Sequence, residues 1–182
     1  CPQNAISETT REVGLLEWGD AEPGIRYAQG CLNVGEAKAP PVIEAVKARA
    51  GGSSLTIVDC PPGTACPFVA AVRGADVVVL VTEPTPFGLA DLGLAIEALE
   101  QLRIAFGVVV NRAGAGAGDE RVAELCGAHG APIFGAIPDD RRVAEAYARG
   151  RLPVLEVPEL RPIFDGIHRE ISEEMYRAAG LE

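Results

Sequence analysis

The residues with the most chemistry in this sequence lie in "SLTIVDCPPGTACPF", Ser54 to Phe68. An apolar run stops on a carboxylate at Asp59. It then passes through Cys60, two prolines, Gly63 and Thr64 to a second thiol at Cys66. A carboxylate closing a buried strand is costly unless it meets a cation or hydrogen-bond donors. Two arrangements satisfy it. Asp59 caps the following helix, or it faces a divalent ion that carries phosphate, directly or through water. Spacing alone does not choose between them. Gly63 has no Cβ, so its amide can approach a phosphate oxygen closely. Cys60 and Cys66 read as a thiol pair, as soft-metal ligands, or, the favoured reading, as two loop cysteines.

Elements that would position these residues follow from the hydrophobic pattern. "EVGLLEW" and "GIRYAQGCLNV" read as short strands, with turns at Gly19-Asp20 and Pro23-Gly24. From Ala39 the texture becomes regular. "PPVIEAVKARA" is helical, with Val42, Ile43 and Val46 on one face. "LTIVD" reads as a strand, "PFVAAVRG" as a short helix and "ADVVVLVT" as a β-branched strand. "GLADLGLAIEALEQLR" places Leu89, Leu92, Ile96 and Leu99 at helical spacing, and "IAFGVVVN" is again a strand. "DERVAELCGAHG" is a helix with Asp119 as N-cap and Gly130 as stop. "APIFGAIP" is a strand and "DDRRVAEAYARG" a helix. The final helix carries a stripe of Leu160, Ile163, Phe164, Ile167, Ile171 and Met175.

Apolar strands alternating with amphipathic helices imply an α/β fold, a mostly parallel sheet with helices on both faces. Ligands of such sheets sit at the carboxyl ends of the strands. Four loops are therefore expected to form the site: 59–66, 83–88, 111–118 and 138–140.

Composition narrows the partners. The formal charge is −10 over 182 residues, which argues against nucleic acid or an anionic membrane. The last helix has three arginines (161, 169, 177) against six acids (159, 165, 170, 173, 174, 182), unlike a membrane-surface helix. Five scattered cysteines without a secretory leader favour reduced thiols and a cytoplasmic location. His129 and His168 read as surface or packing residues.

"TIVDCPPGTACP", "VVVLVTEPTPFGLADL", "FGVVVNRAG" and "FGAIPDDRRVAEAYARG" resemble, in order, successive blocks of the MinD/ParA/Mrp group of deviant-Walker P-loop ATPases. The match covers roughly residues 40 to 180 and is nearest to the branch with an inserted ferredoxin domain. The resemblance implies a P-loop NTPase-like three-layer fold, ATP or ADP with Mg²⁺, and a homodimer that sandwiches nucleotide. It makes Asp59 the catalytic Walker B acid near Mg²⁺ and places Gly63 and Thr64 in the loop that senses the γ-phosphate. Asn111 and Arg112, with Pro138 and Asp139, fall in the two base-contacting loops. "CPQNAI" resembles the end of a ferredoxin motif, which makes Cys1 a candidate ligand of a [4Fe–4S] cluster.

Departures from the family are as informative. The two lysines, Lys38 and Lys47, follow Ala37 and Val46, and no Gly-Lys pair occurs. The phosphate-cradling lysine and the P-loop strand are thus missing, and one ferredoxin cysteine cannot hold a cluster that needs four. Residues 1–38 are expected to be the end of a ferredoxin-like insert with connecting strands, and 39–182 the C-terminal part of a MinD-like nucleotide-binding domain. A chain opening on Cys is read as processed or as a piece of a longer product. The expected function is an ATP-hydrolysing switch linked to iron–sulfur or redox partners, in metallocluster assembly or electron delivery, with this chain inactive alone. A non-catalytic interaction module is the alternative. A cobyrinic acid amide synthase relative is weaker, since no glutaminase-like Cys/His arrangement follows.

Overall fold

The computed structural model describes residues 5, 9–50, 53–114 and 117–180, and the chain divides into two compact units, Cys1–Val72 and Arg73–Glu182. In the first unit, β1 (Gly14–Glu22) and β2 (Ile25–Leu32) form an antiparallel hairpin. Its turn is at Pro23-Gly24. The turn expected at Gly19-Asp20 does not form, because Gly19 pairs with Tyr27 and Asp20 with Arg26 inside the ladder. Helix α1 (Pro40–Arg49) opens on proline, whose missing N–H costs nothing in a first turn. It packs on the hairpin, buries Val42, and sets the Arg49 guanidinium 4.0 Å from the Trp18 ring centroid. Helix α2 (Cys66–Val72) buries Phe68, Ala71 and Val72. The Lys47 ammonium donates to the carbonyls of Ala70 and Ala71 at 3.1 and 2.8 Å, satisfying acceptors near that helix's end.

One expected strand is corrected here. Leu55–Asp59 forms no ladder with any described residue. An apolar, β-branched run predicts a strand only if a neighbour exists to take its N–H and C=O groups. None is present among the described residues, and Leu55 and Ile57 stay 58% and 87% exposed.

The second unit is the α/β layer structure that the pattern predicted. β3 (Val78–Thr82), β4 (Phe106–Ala113) and β5 (Ile133–Pro138) form a parallel sheet in the order β3-β4-β5. Right-handed crossovers are the norm for such units. The connections here run through α3 (Pro86–Leu102) and α4 (Ala117–His129). Then follow α5 (Arg141–Ala148), the short α6 (Pro153–Glu156) and α7 (Leu160–Ala178). Strand side chains alternate between faces. Val109 and Phe134 accordingly form one core with Ile167 of α7, packed by Val79, Ile163 and Ile171. Val108 and Val110 point the other way and are buried, as are Leu92, Ile96, Leu99 and Val122 of α3 and α4. Phe164, expected in the α7 stripe, is 41% exposed, because it lies on the flank of the face that Ile163, Ile167 and Ile171 present to the sheet. Asp119 is not the N-cap of α4. It stands in the first turn and accepts from the Gly114 amide at 2.7 Å.

Among the described residues no helix is long and apolar enough to cross a membrane.

Candidate functional site

Three expected loops leave neighbouring parallel strands of the second unit at their carboxyl ends. Glu83 follows β3, Asn111 and Arg112 lie near the carboxyl end of β4, and Pro138 ends β5 with Asp139 just after it. Register explains how Arg112 is presented. Val110 faces Ala136 and Ala113 faces Pro138, so three steps on β4 oppose two on β5. That extra residue is a β-bulge, a device that re-aims side chains near sites. Arg112 sits in it with φ +56, a left-handed conformation that costs a non-glycine residue about 1–2 kcal/mol. The bulge is held by the Asp139 amide, which donates to the Ala113 carbonyl at 3.1 Å.

The guanidinium spans the sheet top. Its Nη1 donates to both Glu83 carboxylate oxygens at 3.4 Å, and its Nε lies 3.8 Å from Asp139 Oδ1. These pairs are solvent-exposed, so each stabilises the fold by only about 0–1 kcal/mol. Together they do not exceed the strain of the left-handed arginine. Their consequence is orientational, a flat cation fixed above β4 between two carboxylates. Asn111 beside it is half-buried.

A second charged group borders this one. Asp140 caps α5 by accepting from the Arg142 amide at 2.8 Å and also binds the Arg142 guanidinium, whose other arm reaches Glu159 at 3.1 Å. The Arg142 side chain and amide hold the Asp140 carboxyl below the usual range. Glu159 is lowered too, first by its backbone hydrogen bond and then by Arg142. Asp119 carries a buried Oδ1 without a hydrogen-bond partner among the described residues.

In the first unit, Asp59 is exposed and lies in irregular chain. Gly63 has φ +91 with open space where a Cβ would stand, a conformation that suits glycine. Thr64 is half-buried. Burial pushes the Cys60 thiol up, and the adjacent Asp59 charge pushes it further. Cys60 and Cys66 are free thiols. Cys1 lies outside the described residues.

Fit to the implied groups is uneven. A lone exposed carboxylate such as Asp59 suits Mg²⁺, which keeps most of its water shell and takes one or two protein carboxylates. An iron–sulfur cluster does not fit. Cys31, Cys60, Cys66 and Cys126 are all free, and no group of three or more His, Cys, Asp or Glu among the described residues could hold a metal. Glu83 opens the expected loop 83–88, but the sequence reading gave no role to a side chain there, although "VVVLVTE" carries the same signal as "LTIVD", an apolar strand closing on an acid.

No family model matches the chain. An uncharacterized protein of Methanocaldococcus jannaschii is 34% identical over 123 residues, 66% of this chain and 42% of that protein. The iron-sulfur cluster carrier protein of Aquifex aeolicus is 30% identical over 126 residues, 60% of this chain and 34% of that protein. The chain therefore spans about two fifths or less of these curated relatives. Among solved structures, the septum site-determining protein MinD of Pyrococcus horikoshii, complexed with Mg-ADP, superposes with a TM-score of 0.56. It has 26% identity over 78% of this chain and 57% of that one. Fold and sequence likeness agree: the chain is MinD-like, with the α/β fold of the MinD ATPases and an iron-sulfur cluster carrier among its relatives.

Proposed function

We propose that this chain is the base-binding and metal-orienting part of a MinD-like, ATP-hydrolysing switch linked to iron–sulfur chemistry. The observation that carries the reading is the gathering of Glu83, Arg112 and Asp139 at the carboxyl ends of β3, β4 and β5, where ligands of open α/β sheets bind. Asn111, Arg112, Pro138 and Asp139 contact the base. Asp59 orients Mg²⁺, which when bound neutralises phosphate charge, and Gly63 and Thr64 meet the terminal phosphate. Neither lysine supplies the phosphate cradle. Lys47 is engaged by the Ala70 and Ala71 carbonyls, and the sequence has no Gly-Lys pair. The lysine-bearing loop and its strand come from polypeptide outside these 182 residues, in line with the longer relatives. Residues 1–38 then close a ferredoxin-like insert, and 39–182 complete the nucleotide domain. Any cluster takes its remaining thiolates from outside this chain. The active form is a cytoplasmic homodimer that passes electrons or a cluster to a partner.

The test is ATP hydrolysis by the chain joined to a polypeptide bearing the Gly-rich lysine loop. Turnover should appear with Mg²⁺ and fall by about two orders of magnitude or more in the Asp59→Ala variant. Unchanged turnover in that variant would overturn the role of Asp59. A second reading, a non-catalytic interaction module, is favoured by one observation, the apolar Leu55 and Ile57 left exposed. Partner capture that ignores nucleotide would support it.

A further inference from the structure

The backbone around the half-buried Glu83 is tied down from several sides. The buried Thr82 hydroxyl donates to the Gly88 carbonyl at 3.1 Å, tying the end of β3 to the first turn of α3. The Gly88 amide in turn donates to the N-cap Thr85 at 3.1 Å. From α4, Gly118 comes so close that a Cβ there would meet the Pro84 carbonyl oxygen at 2.1 Å. The Glu83-Pro84-Thr85 turn is thus clamped by two helix starts, and its carboxylate faces the Arg112 fork. A bulged, left-handed arginine has several ways to point. Two carboxylates just past the ends of the neighbouring strands bias it toward one.

We infer that Glu83 is the positioning residue for Arg112: it holds the guanidinium plane flat over β4 so that a neutral, planar heterocycle can stack on it. Guanidinium groups stack on aromatic faces. With Glu83, Asp139, Asp140 and Glu159 against Arg112 and Arg142, the rim carries more acid than base. This end of the sheet therefore suits a ligand part with N–H donors and repels phosphate. The inference rests on the nucleotide reading for its ligand and on the geometry alone for the role of Glu83.

The experiment separates the two. The full chain is labelled with ¹⁵N-arginine, and the Arg112 Nε–Hε resonance is identified by its loss in Arg112→Lys. Without ligand, Glu83→Gln should speed exchange of that proton with water about three- to tenfold, whereas Glu156→Gln, which breaks the separate Arg151 pair, should not. Adenosine should shift the resonance, and Glu83→Gln should weaken adenosine binding about three- to tenfold. Inorganic tripolyphosphate should leave it unmoved. Exchange unchanged by Glu83→Gln, or changed equally by Glu156→Gln, would overturn the positioning role. Accelerated exchange without any adenosine response would overturn the stacking ligand, and the nucleotide reading with it, while the positioning role of Glu83 stood.

Discussion

Gly88 and Gly93 lie one and a half turns apart in α3, and Gly→Ala at the two should have opposite effects on stability. Helix propensity alone favours alanine by roughly 0.5–1 kcal/mol at an interior position. At Gly93 nothing lies within 4 Å of the new methyl, so the full gain is expected. At Gly88 the methyl would meet the Glu83 carbonyl oxygen at 2.3 Å and Thr82 Oγ1 at 3.1 Å. The first neighbour is backbone and cannot swing aside. Overpacking of this kind costs about 1–3 kcal/mol, which against the propensity gain leaves a net loss centred at about 1 kcal/mol and reaching about 2.5 kcal/mol. For a unit of about 100 residues, each 1 kcal/mol moves Tm by roughly 4–8 °C. Urea and thermal unfolding followed by circular dichroism would measure both variants against the parent. Gly88→Ala should lower Tm by about 4 °C or more and Gly93→Ala should raise it. Stabilisation by both would refute the close seating of α3 on the Glu83 turn, and with it the clamp that fixes Glu83.

Three further outcomes follow from the packing and the shifted groups. Ile167→Ala, which empties the space between Val109 and Phe134, should cost about 2–4 kcal/mol in urea unfolding, whereas Phe164→Ala on the exposed flank should cost much less. Asp140 has a folded pKa below its unfolded one, so its stabilisation is complete above the ordinary aspartate value of about 3.9. It is lost only as pH falls through the lower folded value, and α5 amide signals should hold until then. Asp140→Asn, which keeps a capping side chain, should remove that acid dependence. The raised Cys60 thiol should react with iodoacetamide at pH 8 several-fold more slowly than a free peptide thiol with the usual pKa of about 8.5. Asp59→Asn should speed it, because the charge opposing the thiolate is gone.

Much of the second unit could be read from the sequence because its strands and longer helices are specified twice, by their own period and by a neighbour they pack on, whereas the four-residue α6 has no period to read. Val108 and Val110 alternate with Val109, and Leu92, Ile96 and Leu99 recur at helical spacing on α3, which packs on β3 and α4. Leu55–Asp59 carried the same strand signal and formed none, since β-propensity records a surface suited to pairing and contains no information on whether a partner strand is at hand. Gly19 and Asp20 looked like a turn for the opposite reason. Their residue types permit one, but Pro23-Gly24 sets the hairpin and its register carries both into the ladder. At the candidate site the loops could be placed from the ends of apolar strands. The bulge at Arg112 could not, because nothing in "VVVNRAG" marks an arginine for left-handed backbone, where glycine or asparagine would be the expected signal. Glu83 could be placed in its loop, but its pairing with Arg112 could not be read, because that partner lies 29 residues away on the next strand.

Photolabelling with 8-azido-ATP addresses the central claim, that the carboxyl ends of β4 and β5 meet an adenine base. The 182-residue chain would be irradiated with the probe and Mg²⁺, digested, and mapped by mass spectrometry with and without excess ATP. ATP-protected label is expected on peptides containing Asn111 to Gly114 or Pro138 to Asp140. Label that excess ATP does not displace, or that falls on α5 to α7 and leaves both loops clean, would contradict the claim.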